Sequence, residues 1–496
     1  MDSLRLRTAR GLLWSGIQRF GGQAISLAVF VLLSRLLTPT ALGLAALAYV
    51  YLALAQAFLE QGMGAAIVQR QHLEPGHIDS AFWWSFGLGT LLTAVTVLIA
   101  GPAADFLQEP ALAPVLIGMS PALILSGLRI PQMALLQRGF RFKDLAVRTI
   151  LAETIGGGVG IALALGGFGV WALVGQTLGR TATATIFLWR VVPWRPSLRF
   201  SRKQMGDLIG VGLPVLGDRL LDFARGKLDD LFVGAVLGAA ALGYYSVGYR
   251  LLNFLTDLIV GTVQTVSLPL YARLHREAEP LPNAFLAINR FLAFLAFPVF
   301  LGVALMAPAI VPVVFGAKWL PSVPVMQILA VVGLLRIAPA GTSPAVTALG
   351  KPSINLYVNL GATAVAAIGF VTVVSQGIVP VALVHLLVAI CLLPVTLAIV
   401  HRVLALPIRP YLRSFGPSLL GAALMAIAVV GVALWAGGWP ATLAGVLLLA
   451  AAGGAVYLGS TRLVAPDLFR QARQTLFQEM SWTRWAGMPT VQEEDL

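Results

Sequence analysis

The sequence predicts an all-α polytopic membrane protein of about 14 transmembrane helices, and three observations predict it. First, 58% of the 496 residues are hydrophobic and only 11% are charged, against about 25% charged in an average soluble domain. Mean hydropathy is +0.86. A soluble fold needs a polar skin that this composition does not supply. Second, apolar runs long enough to span a bilayer recur along the whole chain, and fourteen of them at roughly 20 residues would use about 280 residues. Third, Lys and Arg fall in alternate connections: 23 on one side against only Arg35 and Lys318 on the other. A missed span would have mixed these two groups. The net charge of +13 and pI of about 10.4 would suggest nucleic acid in a soluble chain. Here the cytoplasmic loop bias explains them without a nucleic-acid partner.

The expected spans run 12–36, 42–65, 82–104, 112–136, 147–166 and 169–189, then 208–236, 242–270, 286–310, 322–348, 354–375 and 378–400, then 413–436 and 441–461. The first follows Arg5, Arg7 and Arg10, as the core of a secretory leader would. It continues past Gln18, Arg19 and Gln23 without a small-residue cleavage site, so it is expected to be a retained span. Gly166–Gly169 and Gly437–Pro440 are tight hairpin turns. The seventh span is the most polar, and Pro214 with its neighbouring glycines should loosen it. No connection exceeds roughly 20 residues, which leaves no room for an extramembrane catalytic domain. The basic loops place both termini in the cytoplasm. The single cysteine, Cys391, allows no intramolecular disulfide and no thiolate metal cluster.

Two stretches echo each other about 200 residues apart: LLSRLLTPTALGLAAL (32–47) and FVGAVLGAAALGYYSV (232–247), with Leu42-Gly43 falling on Leu242-Gly243. GLRIP (127–131) resembles LLRIA (334–338), with Arg129 on Arg336. Six spans per unit is an even number, so both units enter the membrane in the same orientation. The expected organisation is an N-lobe (1–200), a parallel C-lobe (201–405), two extra spans (406–465) and a cytoplasmic tail (466–496). The two six-helix lobes would surround a central cavity.

Charges inside spans are costly, about 2.5–3.5 kcal/mol each at a helix centre on insertion scales, and must face partners or water. Arg19, Arg129, Arg180, Arg250, Arg290 and Arg336 outnumber the acids of their own spans. Guanidinium stays charged in any protein setting, so these six are the candidate lining of a basic cavity for an anionic head group. Those near a span end, Arg19 and Arg290, could instead snorkel to the interface. On the seventh span Asp218, Asp222, Arg225 and Asp229 share one helical face. Asp218, Asp222 and, on the next span, Asp257 are the candidate ion-coupling carboxylates, for H⁺ or Na⁺. Intrahelical pairing of Asp222 with Arg225, of Arg225 with Asp229 and of Lys227 with Asp230 is the alternative for this stripe. No P-loop, HExxH or Cys/His metal spacing is present, so no cofactor and no metal are expected.

RLLTPTALGLAAL (35–47), AIVQR (66–70), LLQRGFRFKDLA (135–146) and VFGAKWLPSVPVMQILAVVGLLRIA (314–338) resemble the polysaccharide transporter branch of the multidrug/oligosaccharidyl-lipid/polysaccharide flippase superfamily. The similarity covers about residues 5–460 and is greatest to Wzx-type flippases of the colanic acid and exopolysaccharide kind. It implies a multi-pass protein of the bacterial inner membrane, not an enzyme. It further implies alternating-access translocation of undecaprenyl-pyrophosphate-linked oligosaccharide for exopolysaccharide or lipopolysaccharide biosynthesis, among membrane lipids and beside a polysaccharide polymerase or co-polymerase. The family offers no catalytic motif to carry over, so the arginines rest on the residues alone. The competing readings are a cation-coupled multidrug-type exporter, which a basic cavity would disfavour, and a lipid II flippase. A membrane glycan polymerase or ligase would typically need a long outward loop that is absent here.

Overall fold

The computed structural model describes residues 2–277 and 280–467, the side chains of 2–12, 211–214, 218, 262, 265 and 266 excepted. Among the described residues every regular element is helical. That is what lipid demands of an open chain, because a helix satisfies its own backbone where no water can. In order these are α1 (Asp2–Leu36), α2 (Pro39–Glu60), α3 (Met63–Gln69), α4 (Pro75–Phe106), α5 (Leu112–Met119), α6 (Pro121–Gly127), α7 (Ile130–Arg138), α8 (Phe142–Leu165) and α9 (Trp171–Val191). They continue with α10 (Arg202–Arg276), α11 (Leu281–Ile310), α12 (Val323–Leu335), α13 (Ile337–Ala340), α14 (Thr342–Ala348), α15 (Pro352–Val373), α16 (Ile378–Arg402), α17 (Ile408–Trp435) and α18 (Leu443–Val464).

Among the described residues, eleven helical stretches are long and apolar enough to cross a membrane, or 12 if the bent pair Leu112–Gly127 and Ile130–Arg138 is one span. The protein is a multi-pass membrane protein; the count of fourteen is not reached by this test, for two local reasons. Helix α9 carries Arg180, Arg190 and four threonines, which lower its hydropathy. The seventh and eighth expected spans are one continuous element, α10, folded at Gly238. There φ is 82° and ψ is 175°, a conformation open essentially to glycine alone.

The chain divides into two compact units, Met1–Ser246 with Val374–Ile378, and Val247–Val373 with Val379–Leu496. In the first unit, the fourth expected span is three short helices rather than one. Pro121 and Pro131 stand at the starts of α6 and α7, where a missing N–H and a fixed φ end the preceding helix. The α6/α7 break bends the chain by 42°. Glycines let α6 close on α4: a Cβ on Gly127 would lie 2.4 Å from the Ser85 carbonyl oxygen, and one on Gly89 would lie 2.8 Å from that of Leu123. The polar backbone released at the breaks is satisfied by side chains. Thr93 donates to the Ser120 carbonyl at 3.0 Å, Thr185 to that of Leu125 at 2.9 Å, and the Trp189 indole to that of Leu128 at 3.1 Å.

The second unit shows the same construction. Its helix run breaks at Arg336, between α12 and α13. The Tyr411 hydroxyl donates to the Ala338 carbonyl at 2.5 Å, and the Gln264 amide to that of Ala340 at 3.2 Å. Tyr457 ties α18 to α11 through the Phe294 carbonyl at 2.8 Å. Exposed Ile368, Val371, Ile427 and Leu447 on α15, α17 and α18 are the side chains such a protein turns toward hydrocarbon.

Candidate functional site

The α6/α7 break in the first unit places Arg129 at a bend rather than along a straight helix, with φ −103° and ψ −14°. Its guanidinium is half-buried, and among the described residues its one hydrogen bond is to the Ser126 hydroxyl, at 3.5 Å. Helix α9 brings Arg180 into the same region. Its side chain lies 3.5 Å from the Glu153 carboxylate of α8, with 42% of Arg180 and 16% of Glu153 exposed. The approach of α8 to α9 is set by glycine, since a Cβ on Gly156 would lie 2.6 Å from the Arg180 Cβ and 2.7 Å from its backbone nitrogen.

Two further residues join these. Arg148 of α8 is half-buried, donates to the Thr149 hydroxyl at 3.0 Å and packs on the Met133 sulfur at 3.1 Å. It lies within electrostatic reach of Arg129 and Glu153, and Arg129 within reach of Arg180 and Glu60. Glu60 closes α2, and its carboxylate is 3.7 Å from Arg219 of α10. Four guanidiniums therefore share two carboxylates, and the cluster keeps an excess of positive charge. Like charges are held together only where water or an anion screens them. A guanidinium offers planar paired donors suited to phosphate oxygens.

The structure thus brings together Arg129 and Arg180 of the six expected arginines. Arg19 lies on α1, half-buried, one turn from Gly22, which abuts Thr149 beside Arg148. Arg250, Arg290 and Arg336 belong to the second unit, on α10, on α11 and at the α12/α13 break. Arg290 and Arg336 form no ion pair among the described residues. In that unit His385 is buried between Tyr249 and Phe370, with ring centroids 5.6 Å and 5.1 Å away.

For the candidate ion-coupling acids the picture is divided. Asp222 is paired with Arg225 at 3.0 Å and Lys227 with Asp230 at 2.7 Å, as the intrahelical alternative has it. Asp257 is exposed on α10. The Asp218 side chain lies outside the described residues. The buried carboxylate of the stripe is Asp229, 2% exposed, which accepts from the Tyr245 hydroxyl at 2.8 Å. Sequence reasoning missed Arg148 as a site residue, because at the edge of its expected span it looks like part of the basic connection, and it missed the Glu60–Arg219 pair. Glu153 was visible as an intramembrane acid, and an acid there demands a cation.

Comparison with known proteins places this geometry. Residues 32–324 match the family described as "Polysaccharide biosynthesis protein". The teichuronic acid biosynthesis protein TuaB of Bacillus subtilis is 24% identical over 440 residues, 88% of this chain and 90% of that protein. The lipopolysaccharide biosynthesis protein WzxC of Escherichia coli is 26% identical over 341 residues, 67% of this chain and 68% of that protein. The succinoglycan biosynthesis transport protein ExoT of Rhizobium meliloti is 24% identical over 321 residues, 65% of each. Among solved structures, the lipid II flippase MurJ in an inward closed conformation superposes with a TM-score of 0.76 at 14% identity, covering 92% of this chain and all of that one. An inward-facing multidrug-resistance MATE transporter of the MOP superfamily gives 0.56 at 18% identity, over 75% of this chain and 92% of that one. The fold is that of these transporters.

Proposed function

The chain belongs to the polysaccharide biosynthesis protein family, and on that premise we propose that it flips undecaprenyl-pyrophosphate-linked oligosaccharide repeat units across the bacterial inner membrane. The repeat units would supply exopolysaccharide or lipopolysaccharide biosynthesis. The protein is a transporter and not a catalyst. The observation that carries the reading is the arginine excess at the α6/α7 break. A pyrophosphate needs several convergent donors and a positive field, and Arg129, Arg148 and Arg180 supply both inside one unit. The relatives support the substrate class, since TuaB, WzxC and ExoT are described by the biosynthesis of teichuronic acid, the biosynthesis of lipopolysaccharide and the biosynthesis and transport of succinoglycan.

The finer points are part of the same proposal. Transport runs from the cytoplasmic to the periplasmic leaflet by alternating access, with both termini cytoplasmic. The two six-helix halves at 1–200 and 201–405 are supported by the paired breaks at Arg129 and Arg336. Arg250 and Arg336 are the candidate anion contacts of the second unit. Coupling to an H⁺ or Na⁺ gradient, through Asp218, Asp222 or Asp257, and a polymerase partner complete the reading. An exporter of organic cations is disfavoured by the same charge excess. The test uses full-length purified protein and a short-chain polyprenyl-pyrophosphate oligosaccharide. Saturable binding of this probe, weakened for the monophosphate analogue, is expected. Saturable binding of ethidium in its place would overturn the reading in favour of the multidrug class, and binding of lipid II alone would shift it to the cell-wall precursor.

A further inference from the structure

The two stretches aligned in sequence at a spacing of 200 residues meet each other in space, inside the first unit. A Cβ on Gly43 of α2 would fall 1.6 Å from the carbonyl oxygen of Ala239, and a Cβ on Gly243 would fall 2.1 Å from that of Pro39. Residue 239 is the counterpart of 39, and 243 of 43. The contact is therefore reciprocal: each helix offers the carbonyl one turn before its own glycine to the glycine of the other. That is the signature of a two-fold crossing. Leu47 adds a third close approach, on Gly234, where a Cβ would lie 2.3 Å from its Cδ2. Nothing but backbone separates the two helices at their starts, so this end of the pair is sealed.

The symmetry fails at one position, and the failure is informative. Thr38 caps α2 from within its own chain segment, accepting from the Ala41 amide at 3.2 Å. Its counterpart is Gly238, which has no side chain and holds the sharp fold of α10 at φ 82°. The helix that starts at Ala239 is capped instead by Glu109, whose Oε1 accepts from the Ala239 amide at 2.7 Å. Glu109 stands in the connection between α4 and α5, 130 residues away in sequence. A carboxylate on a helix N-terminus is favoured by both the free N–H and the helix dipole. Glu109 leads into α5, which packs on α2, so this contact bridges the same two sides as the glycine crossing.

We propose that Glu109 is a detachable latch on the Gly43/Gly243 crossing, a positioning residue that holds this end of the transport path shut and must let go once in each transport cycle. A cap inside its own segment travels with its helix; a cap from another connection does not. The inference takes from the preceding section only that the chain is a transporter.

The test is accessibility of a single cysteine in the full chain. Cys391→Ser removes the native thiol, and Ala239→Cys places a reporter where Ala239 is 0% exposed. A water-soluble maleimide then reports opening, without substrate present. Glu109→Ala should raise the labelling rate about fivefold, the population shift of one typical N-cap. Glu109→Gln keeps an acceptor and should stay near the parent rate. Thr38→Ala removes a cap of similar strength from within its own helix and should leave labelling unchanged. Parent-rate labelling in Glu109→Ala overturns the latch, and so does an equal rise in Thr38→Ala, which would mean general fraying. Gly43→Ala must push the crossing apart through its 1.6 Å clash, so it supplies the open-state rate that the comparison requires. Because no substrate is present, failure here and failure of the glycan reading are separate results.

Discussion

Arg129→Gln should cost the protein its anion affinity while leaving its stability intact. Among the described residues Arg129 makes one hydrogen bond, at 3.5 Å to the Ser126 hydroxyl, which is at the limit of a hydrogen bond. It forms no ion pair among the described residues, and Arg148 and Arg180 are its like-charged neighbours. Removing Arg129 takes away a charge that burial disfavours and that Arg180 repels, at the loss of attraction to Glu60, so the melting temperature should hold. A charge-assisted hydrogen bond to phosphate contributes about 1.5–3 kcal/mol, so the probe's Kd should weaken roughly 10- to 150-fold. Arg180→Gln gives the contrast, because it removes the ion-pair partner of Glu153, which is only 16% exposed, and leaves it Arg148 within electrostatic reach. The ion pair is half-exposed on the arginine side, so its loss should cost at most roughly 1 kcal/mol. Affinity should fall in both variants and stability only in the second. Adding Glu153→Gln to Arg180→Gln should restore stability and not affinity. Calorimetric titration with the polyprenyl-pyrophosphate probe, beside thermal melts in detergent, separates the two quantities. An unchanged Kd in Arg129→Gln would refute the assignment of the pyrophosphate to this cluster.

Three further outcomes are expected. Gly156→Leu should push α9 off α8 and displace Arg180, because even a Cβ there meets the Arg180 backbone nitrogen at 2.7 Å; wild-type transport in that variant would detach the helix contact from the site. Reporter fusions at Pro110, Gly377 and Gly438 should read periplasmic and those at Arg199 and Arg409 cytoplasmic, and a periplasmic reading at Arg199 would sink the two-lobe organisation. Asp218→Asn should slow transport in vesicles and weaken its response to a proton ionophore, as the ion-coupling reading of that carboxylate requires. An unchanged rate and an unchanged ionophore response would leave the stripe as the ion pairing seen at Asp222–Arg225.

The helical membrane class was legible because it depends on composition summed over long windows, where tertiary structure has little to add. The breaks were less so. The run 112–136 is apolar throughout and looks like one span, yet it folds as three helices. Pro121 and Pro131 were the available signal, outweighed by hydropathy. Charge counting had a similar blind spot. It treats every loop arginine as a cytoplasmic label, but Arg138 is a structural clamp. Its guanidinium donates to the carbonyls of Ile67 at 3.1 Å, Val68 at 3.3 Å and Gln71 at 3.0 Å, and also to that of Arg70. Those are the groups left over at the end of α3, which a helix cannot satisfy from within. Arg148 stands at the very edge of the expected span 147–166, beside the basic connection, and proves to be the seventh residue of α8. Pairings across long sequence distance, such as Glu60 with Arg219, depend on tertiary contact and leave no local trace.

The glycine crossing is offset by 200 residues, from 43 to 243, but the helix breaks are offset by 207, from Arg129 to Arg336. Seven residues must therefore enter the second copy between these landmarks. The structure offers a place for them. In the first copy α4 and α5 are joined by a short turn, residues 107–111, with Glu109 in it. In the second copy α11 runs into a π-turn at Val311–Phe315 and a 3₁₀ segment at Ala317–Ser322 before α12 begins. A π-turn is how a helix absorbs added residues without losing its hydrogen bonds, and Trp319, 0% exposed, anchors the 3₁₀ segment. The connection that would have carried a counterpart of Glu109 is instead a π-turn, a break at Gly316 (φ 110°, ψ 155°) and a 3₁₀ segment. Its counterpart target, the start of α2, has no need of one, because Thr38 is already there. One latch and not two is what a duplicated fold leaves when a glycine at 238 deprives one helix of its own cap and an insertion removes the reciprocal loop.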